Sequence, residues 1–560
     1  MRITNTSDLW WKNAVVYCAD VETFLDTDGS GRGDLAGMSQ RIDHLAQLGV
    51  TCLWLMPFYP SPNRDDGYDI SDFYAVDPHL GNFGGFVELV RTARDRGIRV
   101  IVDLVVNHTS DQHPWFRAAR SSRSSPYRDW YVWADEDPGD TGTQVAFPDQ
   151  ETSLWQYDEK AGQYFLHRFY KTQPDLDVTN PQVRDEITKI VGFWLQLGLS
   201  GFRVDAVPAL LDEQGTDAAE HARLRDPHDF LRHLREFLGR RTGDAILLGE
   251  VNLPYDQQLE FFGSAAGGEL TMQFDFMTMQ ATYLALARND ARPIAASLAA
   301  RPPIPATAQW ATFLRNHDEL TLDKLTESER QEVIAAFGPD PAMQLYGHGL
   351  RRRLPPMLDG DPRRLKLAYS LLFSLPGTPV LFYGEEIGMG ENLDIPDRYS
   401  VRTPMQWSAQ PNGGFSTASP AKLARPISSD GFAPEHVNVE DQRHDPESLL
   451  SFVTLLVQRY RTTPELGWGT WQALEQPHVE VLAARTSLDD GVVVTLHNLS
   501  PQAVTVPLEL GELPEGTRLV DLLLRGDPVQ LNADGSAHLE LPGYGHRWLR
   551  VVRPGDRRLV

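Results

Sequence analysis

Cysteine is nearly absent from this 560-residue chain, with Cys18 and Cys52 the only two, each inside an apolar, strand-like run. Two thiols cannot build a disulfide framework or a cysteine metal cluster, so they read as reduced core residues. Basic side chains are in deficit, 52 against 77 acidic ones, for a net charge of −25. Such a surface repels phosphate and argues against nucleic acid or an anionic membrane as a partner. Long hydrophobic runs are also missing, since no stretch of about 18 uncharged apolar residues occurs. The start, Met1-Arg2-Ile3-Thr4-Asn5-Thr6, lacks the apolar core of a secretory signal. A soluble, cytoplasmic protein is expected. Core material is ample, at 41% hydrophobic and 10% aromatic residues, so the acidity reads as a solvated coat.

Short β-branched or aromatic runs alternate with stretches of helical spacing. The expected strands are Val15–Cys18, Thr51–Leu55, Arg99–Leu104, Gly201–Asp205, Ile246–Glu250, Leu270–Phe274, Trp310–Leu314 and Val380–Phe382. Helical patterns such as Met38–Gln47, Phe86–Arg96, Val183–Leu197 and Asp229–Leu238 lie between them. Repeated strand-helix units imply a parallel sheet, and eight close into an α/β barrel of the (β/α)8 type. The gap between the third and fourth strands is too long for one crossover, so residues 107–180 form an insertion that leaves the barrel at its C-terminal face. Domain A is then 1–106 and 181–467. A second excursion, from Gly384 to about Pro446, ends at the amphipathic helix Leu449–Tyr460. Residues 468–560 read as short alternating strands with Gly, Pro and Asp-Gly turns, an all-β sandwich domain.

Barrel chemistry is built from side chains at the C-terminal ends of strands. Asp205 ends the fourth, Glu250 ends the fifth, and Asp318 follows the seventh in Asn316-His317-Asp318. Arg203 points to the same strand face as Asp205 and favours its ionised form. Carboxyls facing one bond, one anionic and one protonated, are the apparatus of glycoside cleavage. Asp205 is the expected nucleophile, Glu250 the acid/base, and Asp318 the stabiliser of positive charge on the sugar ring.

Four strings, Asp103-Leu104-Val105-Val106-Asn107-His108, Gly201-Phe202-Arg203-Val204-Asp205, Gly249-Glu250-Val251-Asn252 and Asn316-His317-Asp318, resemble the four short regions of glycoside hydrolase family 13, the α-amylase family. The resemblance implies a retaining mechanism through a β-glucosyl ester on Asp205, and identifies the insertion with that family's domain B. It further implies that Asp65, Tyr68, His108, Gln173, Arg203, His317, Glu319 and Arg402 hold the cleaved glucose. The segment from Phe58 to Asp69 resembles members acting on short α-glucosides at a blind pocket. Asn316 to Leu322, Arg351 to Leu354 and Val401 to Trp407 are most similar to the trehalose synthases, which interconvert maltose and trehalose without admitting water. There are departures: Gln144 stands where that group carries an Arg that pairs with Glu319, Ala209 replaces a Tyr, and Tyr17 to Phe24 and Val251 to Tyr255 also differ from that group. Three functions stay open: isomerisation; hydrolysis or intermolecular glucosyl transfer; and a catalytically silent sugar-binding or transporter-accessory relative, which retention of all three acids disfavours.

Asp26-Thr27-Asp28-Gly29-Ser30-Gly31-Arg32-Gly33-Asp34 sets oxygen side chains at alternate positions around a glycine turn, as in the first part of an EF-hand loop. Calcium held by Asp26, Asp28, Ser30, the Arg32 carbonyl and Asp34 is the expectation. Gly37 stands at the twelfth position, where an EF-hand has a bidentate Glu. The resemblance implies a second calcium site from Asn107, Asp175 and Asp212 with backbone oxygens of Ala209 and Leu210; a hydrogen-bonded anchor is its alternative. Trp115, Phe116, Trp130, Tyr131, Trp155 and Trp407 are candidates for sugar stacking or, more simply, core residues. The run Arg351-Arg352-Arg353 reads as a solvated helix face. The expected partner is a small oligosaccharide or disaccharide, with no organic cofactor. Homo-oligomer formation through residues 441–447 or the C-terminal domain stays open.

Overall fold

Strands covered on both faces are near-continuous apolar runs, and the eight found by that pattern are the staves of one closed barrel. The computed structural model describes residues 9–139, 145–211, 228–523 and 526–556. In chain order the staves are β1 (Val16–Ala19), β2 (Cys52–Leu55), β3 (Arg99–Leu104), β4 (Gly201–Val204), β5 (Ile246–Gly249), β6 (Met272–Phe274), β7 (Gln309–Thr312) and β8 (Thr378–Phe382). Each pairs in parallel with the next, and β8 returns to β1. Cys18 and Cys52 are buried and free.

β4 and β5 stop one residue early, so Asp205 and Glu250 stand just past their strands. Backbone pairing still holds both: Asp205 donates its N–H to Leu104 O at 3.2 Å, and Glu250 to Val204 O at 3.0 Å. The expected helix over 38–47 is two, Leu35–Gln40 and Ile42–Leu48, broken at Arg41 (φ −102°, ψ 4°). The Arg41 guanidinium lies over the Trp407 ring, 4.3 Å from its centroid.

The insertion contains a three-stranded antiparallel sheet of Trp133–Ala134, Gln163–Leu166 and Trp155–Asp158. The bridge His108 to Asp175 ties its return limb to the chain leaving β3, and Tyr131 to Leu176 ties that limb to the insertion's own first half. After β8 the long excursion runs in 3-10 turns, Asp397–Val401 among them, and then reaches helix Leu449–Thr462. In the C-terminal domain a six-stranded sheet packs Val494, Leu496 and Leu549 against Val506, Leu508 and Leu539 of a two-stranded sheet. Trp548 Nε1 donates to Ser370 Oγ at 3.0 Å, fastening that domain to helix Pro362–Ser374 of the barrel.

Candidate active site

Asp103 on β3 and Arg203 on β4 are register partners, so both side chains leave the sheet on one face. Arg203 is 1% exposed and serves three carboxyls. Its Nη1 donates to Asp103 and, at 2.6 Å, to Asp205 Oδ1; its Nη2 donates to Glu250 Oε2 at 2.5 Å. One cation does not offset the burial of three acids. Burial, opposed by Arg203, pushes Asp103 and Asp205 up to about 6. Burial and the neighbouring carboxylates Asp205 and Asp318 push Glu250 up to about 7, against Arg203. Of the two, Asp205 is therefore the readier anion near neutrality and Glu250 the readier proton carrier. Ala206, at φ +44°, turns the chain sharply after Asp205 and aims its N–H at Glu250 Oε2, 3.2 Å away. That backbone is costly for any residue but glycine and marks a site where geometry is imposed by function.

Across the cavity the balance is different. Arg398 donates to Asp318 Oδ1 at 2.8 Å and to Asp65 Oδ1 at 2.5 Å. Arg402 donates to Asp318 Oδ1 at 2.9 Å, to Asp66 Oδ2 at 2.6 Å and to the His317 carbonyl at 2.7 Å. Arg425 also contacts Asp66. Burial opposes ionisation of Asp318, but the neighbouring His317, Arg398 and Arg402 together outweigh it and hold the carboxyl below its ordinary range. Burial likewise opposes Asp66, and Arg425 with Arg402 draws it down to about 2. His317, kept neutral by burial, places Nε2 at 2.7 Å from Tyr68 OH and 3.0 Å from Asp318 Oδ2.

A cavity of about 350 Å³ lies between these two groups. Asp65, Tyr68, His108, Asp205, Glu250, Asp318 and Glu319 line it, as the sequence suggested. Gln173, Arg203, His317 and Arg402 do not; they are buried one layer behind and orient those that do, as when Gln173 Nε2 donates to Asp65 Oδ2 at 2.9 Å. Sequence reasoning missed Arg398, Phe147, Phe169, Asn252 and His348, all on the wall. Arg398 had a signal: it precedes Arg402 by four residues on the same turn. The wall aromatics are Tyr68, Phe147, Phe169 and Phe276. None of the six suggested stacking residues reaches the cavity. Trp115 packs on Trp130, Phe116 on Tyr131, Trp407 on Phe24, and Trp155 sits in the small core of the insertion. Gln144 lies outside the described residues, and among them Glu319 Oε2 is buried without a hydrogen-bond partner.

The run Arg351-Arg352-Arg353 is not a solvated helix face. Arg351 donates to the carbonyls of Ile395 and Leu393, Arg352 pairs with Glu391, and Arg353, 2% exposed, donates to the carbonyls of Val401 and Tyr383. Unpaired carbonyls of the irregular loop draw the guanidiniums inward. The clamp fixes the segment bearing Arg398 and Arg402.

Asp26, Asp28 and Asp34 each bring a carboxylate oxygen within 4.8 Å of the others. Ser30 Oγ and the Arg32 carbonyl are 3.3 Å apart beside them, and Asp34 also caps helix Leu35–Gln40 through Gly37 N–H at 2.7 Å. A convergent set of hard oxygens fits calcium. The second set does not fit as arranged. Asn107 Nδ2 and Asp175 Oδ1 meet at 3.3 Å, but Arg168 Nη1 donates to Asp175 Oδ2 at 2.6 Å, so a guanidinium already stands against that carboxylate. The anchor between barrel and insertion is what these side chains form. Leu210 is buried, Ala209 lines the catalytic cavity, and Asp212 lies outside the described residues.

Comparison with known proteins agrees with this geometry. The family description "Alpha amylase, catalytic domain" matches residues 20–337 and 343–469, and "Sucrose hydrolase-like, C-terminal domain" matches 491–550. The chain is 42% identical over 553 residues to the trehalose synthase/amylase of Mycobacterium tuberculosis, covering 97% of this chain and 90% of that protein. It is 40% identical over 557 residues to the trehalose synthase of Pimelobacter sp., covering 97% and 96%. The crystal structure of the trehalulose synthase MutB from Pseudomonas mesoacidophila superimposes with a TM-score of 0.76 at 27% identity, over 97% of this chain and 99% of that one. Carboxyls that line one cavity follow β4, β5 and β7, and the matched regions run through both barrel segments: the chain belongs to the α-amylase family.

Proposed function

We propose that this enzyme rearranges short α-glucosides, interconverting maltose and trehalose by intramolecular glucosyl transfer. The observation that carries the reading is three carboxyls, Asp205, Glu250 and Asp318, lining one small cavity at the ends of the barrel strands. An Asp205 oxygen attacks the anomeric carbon as the bond to the leaving sugar breaks, and Glu250 gives its proton to the departing oxygen. Asp318, kept anionic by Arg398 and Arg402, offsets the positive charge that builds on the ring. Glu250, now a carboxylate, then takes a proton from another hydroxyl of the released glucose. That oxygen bonds to the anomeric carbon, and Asp205 leaves with overall retention.

Incubation with maltose, trehalose or sucrose, followed by product separation, tests this. Trehalose from maltose with little free glucose is expected, and Asp205→Ala abolishes it. Glucose as the main product overturns isomerisation in favour of hydrolysis.

We also propose calcium on Asp26, Asp28, Ser30, the Arg32 carbonyl and Asp34. When bound, it supplies electrostatic cross-linking of the loop and takes no part in glucosyl transfer. The buried, unpaired Cys18 and Cys52 support a cytoplasmic setting.

A further inference from the structure

Tyr346 occupies the tip of the hairpin between Gln344–Leu345 and Gly349–Leu350, in the loops that follow β7. Its φ is +56°, and Gly347 follows at +69°. Two successive left-handed residues make a turn for which Asn-Gly is the low-energy choice, and an aromatic side chain at the first position is a steric cost. Such a cost persists where surrounding contacts enforce it, characteristically at ligand clamps.

The contacts are with the insertion. Tyr346 is 4% exposed, its ring centroid is 5.2 Å from that of Phe147, and its N–H donates to Asp149 Oδ2 at 3.0 Å. Phe147 in turn stacks on Tyr170 at 4.6 Å and lies 4.8 Å from the Arg398 guanidinium, itself bonded to Asp65 and Asp318. Phe147 and Arg398 line the cavity; Tyr346 does not. A residue in a disfavoured conformation therefore braces, from outside, an aromatic wall beside the reacting centre.

We propose that Tyr346 is a positioning residue: its ring latches Phe147 against Arg398 and keeps water from the glucosyl ester until the acceptor hydroxyl attacks. Water that reached the ester would form a bond from its oxygen to the anomeric carbon, break the carbon's bond to Asp205 and pass its proton to Glu250, releasing free glucose. This rests on the transfer reading given above.

Tyr346→Asn suits the left-handed backbone and removes the ring, so it tests the latch without disturbing the turn. With maltose or trehalose as substrate, the ratio of glucose to rearranged disaccharide is expected to rise by about threefold or more in Tyr346→Asn. Tyr346→Phe restores the wild-type ratio. Without sugar, backbone hydrogen exchange over 145–151 speeds up in the Asn variant only. An unchanged ratio and unchanged exchange in Tyr346→Asn overturn the latch; equal effects of Asn and Phe overturn the role of the ring. If the wild type makes no rearranged disaccharide, the transfer reading fails by itself, and exchange over 145–151 still decides whether Tyr346 holds the wall.

Discussion

Two groups of buried acids face each other across the cavity, and they are balanced in opposite ways. On the barrel floor one guanidinium, Arg203, is divided among Asp103, Asp205 and Glu250. At the rim three guanidiniums, Arg398, Arg402 and Arg425, face Asp65, Asp66 and Asp318, with Arg425 also reaching Asp20 and Glu22. Unequal countercharge leaves Asp205 and Glu250 raised toward neutrality on the floor, while Asp66 and Asp318 are held below the ordinary carboxylate range at the rim. The construction differs as well. The floor is set by the register of adjacent parallel strands, whereas the rim arginines arrive on a loop delivered after the last strand. Retaining transfer needs both: an acid that changes state twice per turnover, and an anion that never does.

Removing the floor cation has the largest expected effect. Arg203→Gln leaves three buried acids without their shared partner, and turnover of maltose is expected to fall by about 10³-fold or more. Unfolding in urea should show a loss of about 3–5 kcal/mol, smaller if the acids take up protons. Near-normal turnover would erase the distinction between floor and rim. Weakening the rim costs less: Arg398→Gln still leaves Arg402 on Asp318, and kcat should drop by about 10–100-fold. Its pH profile sharpens the comparison. In the wild type, activity declines as pH falls through about 6, where Asp205 gains a proton, and as pH rises through about 7, where Glu250 loses its own. Without Arg398 the Asp318 carboxyl moves up but stays below Asp205, since His317 and Arg402 still face it, so the acid limb should remain near 6; a limb moved to higher pH would show that Arg398 alone keeps Asp318 anionic. Chelation touches neither group and has the smallest effect. Excess chelator should lower the melting temperature by about 2–4 °C and restored calcium should reverse it, with turnover at 25 °C held within about twofold. An unchanged melting curve would mean that Asp26, which accepts backbone N–H bonds from Asp28, Gly29 and Gly31, is held by the turn alone.

The floor was legible in the sequence and much of the rim was not. Parallel strands buried on both faces announce themselves as apolar runs, and an acid at the end of such a run can be assigned a direction. Arg398 belongs to a 3-10 turn in an aperiodic stretch, and its partners Asp65 and Asp318 lie 333 and 80 positions away. No local pattern signals pairings of that span. Arg351 to Arg353 misled for a related reason: a run of charge suggests solvent until the loop carbonyls that accept its protons are known. Phe147 gave as little warning as any single aromatic in a polar loop. Conversely, Arg203, His317, Gln173 and Arg402 were found by motif but sit behind the wall, because a motif marks residues a site depends on without separating contact from support.

The Asp103 to Arg203 pairing also bears on how the molecule assembles. The two residues are 100 positions apart, with the whole insertion between them, so their bond forms only after a long loop has closed. Helices such as Pro181–Gln196 need no such closure and can form early, whereas the floor waits for β3 and β4 to zip. Until then Asp205 and Glu250 are solvated carboxylates with ordinary acidity, and a nascent chain holds every reactive residue without being an acid catalyst. Glucosyl chemistry in this protein is thus a late product of folding, switched on when the sheet closes.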